Sequence, residues 1–380
     1  MVLSRRRPAL LFSTIRCGLI ALLLLGVSAL AAAGCDGRSS PSPQATAGSP
    51  AAAPGKLTVL ATRGTLPRGV VARFRARFPA VTLRVVVTKN GITAQRLLRS
   101  GLKADLIAAR SDDATGELTR SGALQPVATD RITAWPDLFP AFRDLAGAGR
   151  NAVAVVPVDA GEVGIISRAG LRRAPRSFTE LFGERFRGRL AFPDNSSIAV
   201  QAAALALGYD AGGELTERQW ERVRILLKGR RHWFRGFWQN VAAAGRLFAD
   251  GSIDVTVGTQ GEMLGMERAG VDLRFVPARE GSLVWLGGFG ISRGAADPEA
   301  ALAFIEYLLE PRTQAEIAVR GRMLAVSELA VDELSQEVVR SHGLDRPARL
   351  ASAIPIAPEL DHVEWVQTWY AVKTGFACCL

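Results

Sequence analysis

From residue 56 onward the chain alternates between short apolar runs and stretches of helical periodicity, and this restricts the fold more than any other feature. "KLTVLAT" (56–62) reads as a buried strand. "GVVARFRARFP" (69–79) sets Val70, Phe74 and Phe78 on one helical face. Strands then follow at 81–88 and 104–109, and helices at 92–101 and 114–122. Strand–helix alternation at this spacing predicts a parallel-rich sheet with helices on its faces, an α/β fold.

The pattern restarts after an irregular middle. "NAVAVVPVDAGEVGIISRAG" (151–170) reads as two strands around a bend. Further strands are expected at 188–194, 253–259, 272–278 and 283–294, with helices at 177–183, 198–208, 216–229 and 242–251. Ser177 and Glu180 stand at capping-box spacing. The stretch 297–319 is strongly helical, with Pro298 at its start and Pro311 breaking it in two. The 325 residues from 56 to 380 are many for one core and suit two lobes.

The N-terminus has a different character. Arg5, Arg6, Arg7 and Arg16 precede the uncharged run 17–33, and small residues lead to Gly34-Cys35. A basic start, a short apolar core and a small-residue exit describe an export signal over residues 1–34. A permanent membrane helix is the alternative, at the short edge of the ~17–25 residues a span needs. Small-small-Gly-Cys resembles a bacterial lipobox, with Ala32 where leucine is usual, and implies lipidation at Cys35; plain secretion is the second reading. Residues 35–55, rich in Ser, Pro, Ala and Gly, then form a flexible linker. Loss of four arginines takes the net charge from +11 to +7. Cys378 and Cys379 are adjacent and suggest neither a disulfide core nor a zinc site.

Three segments carry a family resemblance: "SFTELFGERFRGRLAFPDN", "FWQNVAAAGRLFADGSIDVTVGTQGEM" and "LVWLGGFGISRGAADPEAALAFIEYLLEP". In this order, behind an export signal, they resemble the extracellular solute-binding proteins of ABC importers, closest to the spermidine/putrescine-binding branch. The resemblance covers roughly residues 57–330. It implies a two-lobe periplasmic-binding-protein fold of type II with crossover hinge strands. Lobe one is then 56–157 plus 288–345, lobe two with the hinge strands is 158–287, and 346–380 is a C-terminal segment. The implied partners are a small-molecule solute and a membrane permease. The implied location is the periplasm or the outer face of the cell membrane, as a lipid-tethered monomer. No cofactor and no metal is implied, and no chemistry on the solute.

In open parallel sheets, ligands lie beyond the carboxyl ends of the strands. That rule selects Arg63, Gly64 and Thr65 after the first strand, and Arg110, Ser111 and Asp112 after the third. It also selects Asp194, Asn195 and Ser196, then Gln239, and Thr259 with Gln260; the resemblance adds Trp285 and Gly287. Polyamine binders resemble cages of aromatic rings and carboxylates. Here Arg63 and Leu66 replace aromatics, Gly287 stands where such a binder has aspartate, and Thr259 stands where a second tryptophan is usual. Arginines at two strand ends favour an anionic or neutral organic solute over a polycation.

Other readings are weaker. Ferric-ion binders of this fold use paired tyrosines, and the chain has only Tyr209, Tyr307 and Tyr370, none adjacent. "KGRRHWFRGFWQN" (228–240) interleaves basic and aromatic residues as single-strand nucleic-acid grooves do. Export removes nucleic acid as a partner, and a helix end followed by a strand is the simpler account. For an enzyme there are three histidines, no H-E-x-x-H and no P-loop. "ELDHVEW" (359–365) reads as a charged helix surface. A ligand sensor for a membrane kinase shares every sequence feature of an importer component.

Overall fold

The computed structural model describes residues 55–112, 116–147, 151–359 and 362–375. The expected signal, Cys35, most of the linker, Asp361, Cys378 and Cys379 lie outside them. Three parallel strands open the fold: β1 (Gly55–Thr62), β2 (Val81–Thr88) and β3 (Leu106–Arg110). They are linked by α1 (Arg68–Arg77) and α2 (Gly91–Arg99), the latter capped by the Asn90 side chain on Thr93 N. After α3 (Gly116–Arg120) come β4 (Leu124–Gln125), β5 (Val127–Ala128), α4 (Pro140–Leu145) and β6 (Ala152–Val153).

Residues 151–170 form two strands around a bend at 154–155, as expected: β6 and then β7 (Val156–Arg168), a 13-residue strand buried almost throughout. Two glycines within β7 are places of close approach. A Cβ on Gly161 would lie 2.3 Å from the Trp285 ring, and one on Gly164 2.7 Å from Phe275. Large side chains on neighbouring strands use the space that these two glycines leave.

The second half follows: α5 (Phe178–Leu181), β8 (Leu190–Pro193), α6 (Ser196–Ala206), α7 (Glu217–Gly229), β9 (Phe234–Trp238) and α8 (Val241–Ala249). Then come β10 (Val255–Thr259), α9 (Gln260–Met266), β11 (Leu273–Val276) and β12 (Ser282–Ser292). The chain returns with α10 (Pro298–Leu309) and α11 (Pro311–Gly321), each started by its proline as expected. It ends with α12 (Gln336–Ser341), β13 (Ala353–Pro355) and α13 (Val363–Thr374).

Among the described residues one sheet has eleven strands, in the order β2-β1-β3-β12-β7-β10-β8-β9, with β11 on β7 and β4 and β13 on β12. Two cores flank its middle. Leu57, Phe74, Val158, Phe289 and Phe304 belong to the first, and Phe178, Phe192, Val200, Trp365 and Trp369 to the second. The antiparallel pair β7–β12 supplies residues to both, so these two strands cross from one half to the other. The C-terminal segment crosses as well: Leu344 and Leu350 lie in the first core, Ile356 and Trp365 in the second.

Residues with other candidate roles have structural ones. Trp233 of the basic–aromatic run is buried beneath the Arg230 guanidinium, 3.8 Å away, and Phe234 and Phe237 pack edge-on to or tilted against Trp369 and each other. The Tyr307 hydroxyl donates to Val70 O at 2.8 Å. His362 stacks on Trp365 at 3.9 Å. Among the described residues no helix is long and apolar enough to cross a membrane, and no three His, Cys, Asp or Glu side chains gather as for a metal.

Candidate functional site

The site grows from one rung of the sheet. Gly287 on β12 pairs with Arg110 at the end of β3 on one side and with Asp159 of β7 on the other. Directly opposed antiparallel residues share a face, so Arg110 and Asp159 project on the same side with no side chain between them. A Cβ on Gly287 would stand 1.9 Å from Asp159 Oδ1. Trp285, two residues back and on the same face, covers Gly161.

Arg110 is held from two directions. Its Nε and a terminal nitrogen meet the two Asp112 oxygens at 3.0 and 2.8 Å, and its guanidinium lies 3.8 Å from the centre of the Trp285 ring. A bidentate pair with a cation–π stack fixes the plane of the group. Ser111 joins the same corner, its Oγ accepting from Leu286 N at 2.9 Å.

A cavity of about 840 Å³ opens over this rung. Four arginines line it: Arg110, Arg246 on α8, Arg268 just past α9 and Arg322. Among the described residues Arg246, Arg268 and Arg322 make no ion pair. Val241, Ala242, Met266 and Met323 add apolar wall, and Trp285 and Thr259 complete it. Its carboxylate, Glu262, is already used. Glu262 accepts from Thr259 N at 2.7 Å, and Thr259 Oγ1 accepts from Glu262 N at 3.2 Å, a reciprocal cap on α9. Burial pushes the Glu262 pKa up, and the Thr259 bonds work against that.

Arg322 has the one positive φ, 58°, among the described non-glycine residues. That conformation is uncommon for an arginine. Its neighbours impose it: Met323 N bonds to Ala318 O and Leu324 N to Ala160 O on β7. Gly261 on α9 packs onto Arg322 so closely that a Cβ would sit 2.3 Å from the Arg322 carbonyl oxygen.

Two smaller cavities adjoin. One, of about 30 Å³, is bordered by Thr62, Arg63, Thr65, Asp159, Gly287 and Arg110. The other, of about 10 Å³, is bordered by Glu162, Gln260, Arg322 and His342. Gly64 shapes the loop beside the first with φ +96°, a conformation that suits glycine. Asp159 is 2% exposed and accepts no hydrogen bond from a described residue. Burial pushes its pKa up to about 6; Arg110 opposes the rise and Asp112 adds to it.

The residues selected from sequence divide. Arg110, Thr259 and Trp285 line the large cavity; Arg63, Thr65 and Gly287 line the small one; Gln260 borders the third. Asp194, Asn195, Ser196 and Gln239 line none of these three and are engaged elsewhere. Asp194 pairs with Lys373 of α13 and accepts from Gln239 at 3.1 Å. Asn195 caps α6 through Ile198 N, and Ser196 bonds to Glu359 through N and Oγ. Sequence reasoning passed over Asp159, Arg246, Arg268 and Arg322. Asp159 had a signal, being one of two acids in an apolar strand run; the arginines had none.

Two crossing strands, two cores and a cavity over the crossing define a solute-binding architecture. The chain belongs to the bacterial extracellular solute-binding protein family, whose model matches residues 70–337. The spermidine/putrescine-binding periplasmic protein of Salmonella typhimurium is 23% identical over 208 residues, 53% of this chain and 58% of that protein. The Escherichia coli protein of the same description is 22% identical over the same shares. The chain therefore spans little more than half the length of these curated relatives. Among solved structures, the spermidine/putrescine substrate-binding protein PotD of Streptococcus pneumoniae superposes with a TM-score of 0.74 at 14% identity, covering 84% of this chain and 98% of that one. The Atu4243-GABA receptor does so with 0.67 at 17%, covering 84% and 98%. At these identities the structural likeness speaks to the fold.

Proposed function

We propose that this chain is the solute-binding component of an ABC importer and that its solute is a small organic anion. The observation that carries the anion reading is the large cavity with four arginines, three of them without an ion-pair partner among the described residues. A polycation entering it meets net positive charge. An anion gains charge-assisted hydrogen bonds of roughly 1.5–3 kcal/mol each. The apolar wall of Val241, Ala242, Met266 and Met323 suits a carbon body rather than a bare inorganic ion.

The mechanism is capture without chemistry. The halves on either side of β7 and β12 act as lobes, and the solute favours the closed arrangement by its differential affinity for it. The closed form then docks on a membrane permease. In this reading residues 1–34 direct export, Cys35 carries a lipid and the segment to residue 55 is the tether.

A thermal-shift panel of carboxylates, phosphonates, sulfonates, putrescine and spermidine tests it. A bound solute at a hundred times its dissociation constant adds ~2.7 kcal/mol. The expected result is stabilisation by organic anions and none by polyamines. Stabilisation by spermidine or putrescine alone overturns the anion reading, and turnover of any compound overturns capture without chemistry.

A further inference from the structure

The anion reading leaves one group unused. Asp159 is a carboxylate, 2% exposed, with no hydrogen-bond donor among the described residues. Buried carboxylates in folded proteins are paired or hydrogen-bonded, because stripping water from an ion is costly. A buried acid left bare has a structural or a functional reason, and here the geometry favours the second. Asp159 borders the cavity of about 30 Å³, which shares Arg110, Trp285 and Met323 with the large cavity. The space suits one water molecule or one head group of that size.

The charges around it are accounted for. Arg110 and Asp112 face Asp159 from the end of β3 and largely neutralise each other through their bidentate pair. Arg63 borders the cavity from the loop after β1 and, exposed to solvent like Arg246 and Arg268, belongs to the outer wall. Gly287 keeps the approach open, since a Cβ there would collide with Asp159 Oδ1. A site results with negative charge at its floor and arginines along its outer wall.

We propose, resting on the anion reading above, that the solute is amphoteric: its acidic groups engage the arginines of the large cavity while a single ammonium group enters the small one and pairs with Asp159. Such a solute supplies the counter-charge that Asp159 lacks in the empty protein. It also separates this cleft from one for simple dicarboxylates, which offer nothing to the floor, and from one for polyamines, which offer nothing to the arginines.

The test uses the full chain and pairs of probes that differ in one amino group: glutamate and glutarate, taurine and ethanesulfonate, 2-aminoethylphosphonate and ethylphosphonate. Calorimetric titrations are run on wild type and Asp159→Asn. The amine-bearing member of a binding pair is expected to bind at least tenfold more tightly to wild type, and the advantage is expected to vanish in Asp159→Asn. In wild type the advantage shrinks as pH falls from 7 to 5, because the free carboxylate takes up a proton near pH 6. That measurement also stands alone should the variant fail to fold. Equal binding of both members, or an advantage that survives in Asp159→Asn, overturns the amphoteric solute and leaves the anion reading intact. Binding of spermidine with no anion bound overturns the anion reading itself.

Discussion

The two sides of β7 treat a buried carboxylate in opposite ways. Asp159 and Glu162 stand three residues apart, which on a strand directs them to opposite faces, and they are 2% and 4% exposed. Glu162, away from the rung, is fully engaged. Arg349 reaches both of its oxygens at 2.5 Å, and Ser282 on β12 donates to it as well. Arg349 is itself anchored to the carbonyls of His342 and Gly343 at 2.6 and 3.1 Å. Asp159, on the cleft side, has none of this. One acid ties the C-terminal segment to the crossing strands; the other is left for something that arrives from outside. Burial alone does not separate a structural charge from a functional one. The count of partners does.

Removing Glu162 breaks that contrast most severely. Glu162→Ala leaves the largely buried Arg349 guanidinium without its counter-charge, and the expected loss is about 3–5 kcal/mol, read as the denaturant midpoint at constant slope.

Removing Asp159 has the opposite sign. Its pKa is raised from 3.8 to about 6, so the ionised form weakens the empty fold above about pH 6, and the burden is gone below about pH 4. A two-unit shift corresponds to at most ~3 kcal/mol. Asp159→Asn is expected to be more stable than wild type by ~1–3 kcal/mol at pH 7 without solute. The two proteins converge as pH falls toward 4, followed by thermal melts across that range. A variant less stable than wild type at pH 7 places Asp159 among the structural acids, with Glu162.

Asp194 is the intermediate case. Burial works to raise its pKa, but the bonds from Lys373 and Gln239 outweigh that and hold it below the ordinary value. Its contribution is therefore present above the unfolded value and lost as pH falls through the folded one. Lys373→Met is expected to cost ~1 kcal/mol or less at pH 7, because the pair is partly open to water. Its acid unfolding is also expected to lose part of the wild-type slope.

Much of the fold was legible because period and punctuation are local. Strands β1, β2, β8, β10 and β12, the cap at Ser177 and the break at Pro311 all follow from residues within a few positions of one another. Local logic gives no reason for the two glycines inside β7. Only Trp285 and Phe275, more than a hundred residues away, give the reason for Gly161 and Gly164. The candidate site was half legible for a similar reason. A rule about strand ends finds Arg63, Arg110 and Thr259. It cannot tell them from Asp194 and Ser196, whose partners Lys373 and Glu359 arrive from the far end of the chain.

The sequence by itself determined the alternating elements, their caps and the apolar faces that bury them, since these are set by periodicity and by side chains acting on their own backbone. It also placed two acids inside the apolar run 155–166. What only the tertiary structure decided is which acid is answered. Strand register sets Asp159 opposite a glycine, and the returning C-terminal segment brings Arg349 to Glu162. A buried charge is fixed in meaning by neighbours distant in the chain, because its energy depends on what replaces the water it has lost.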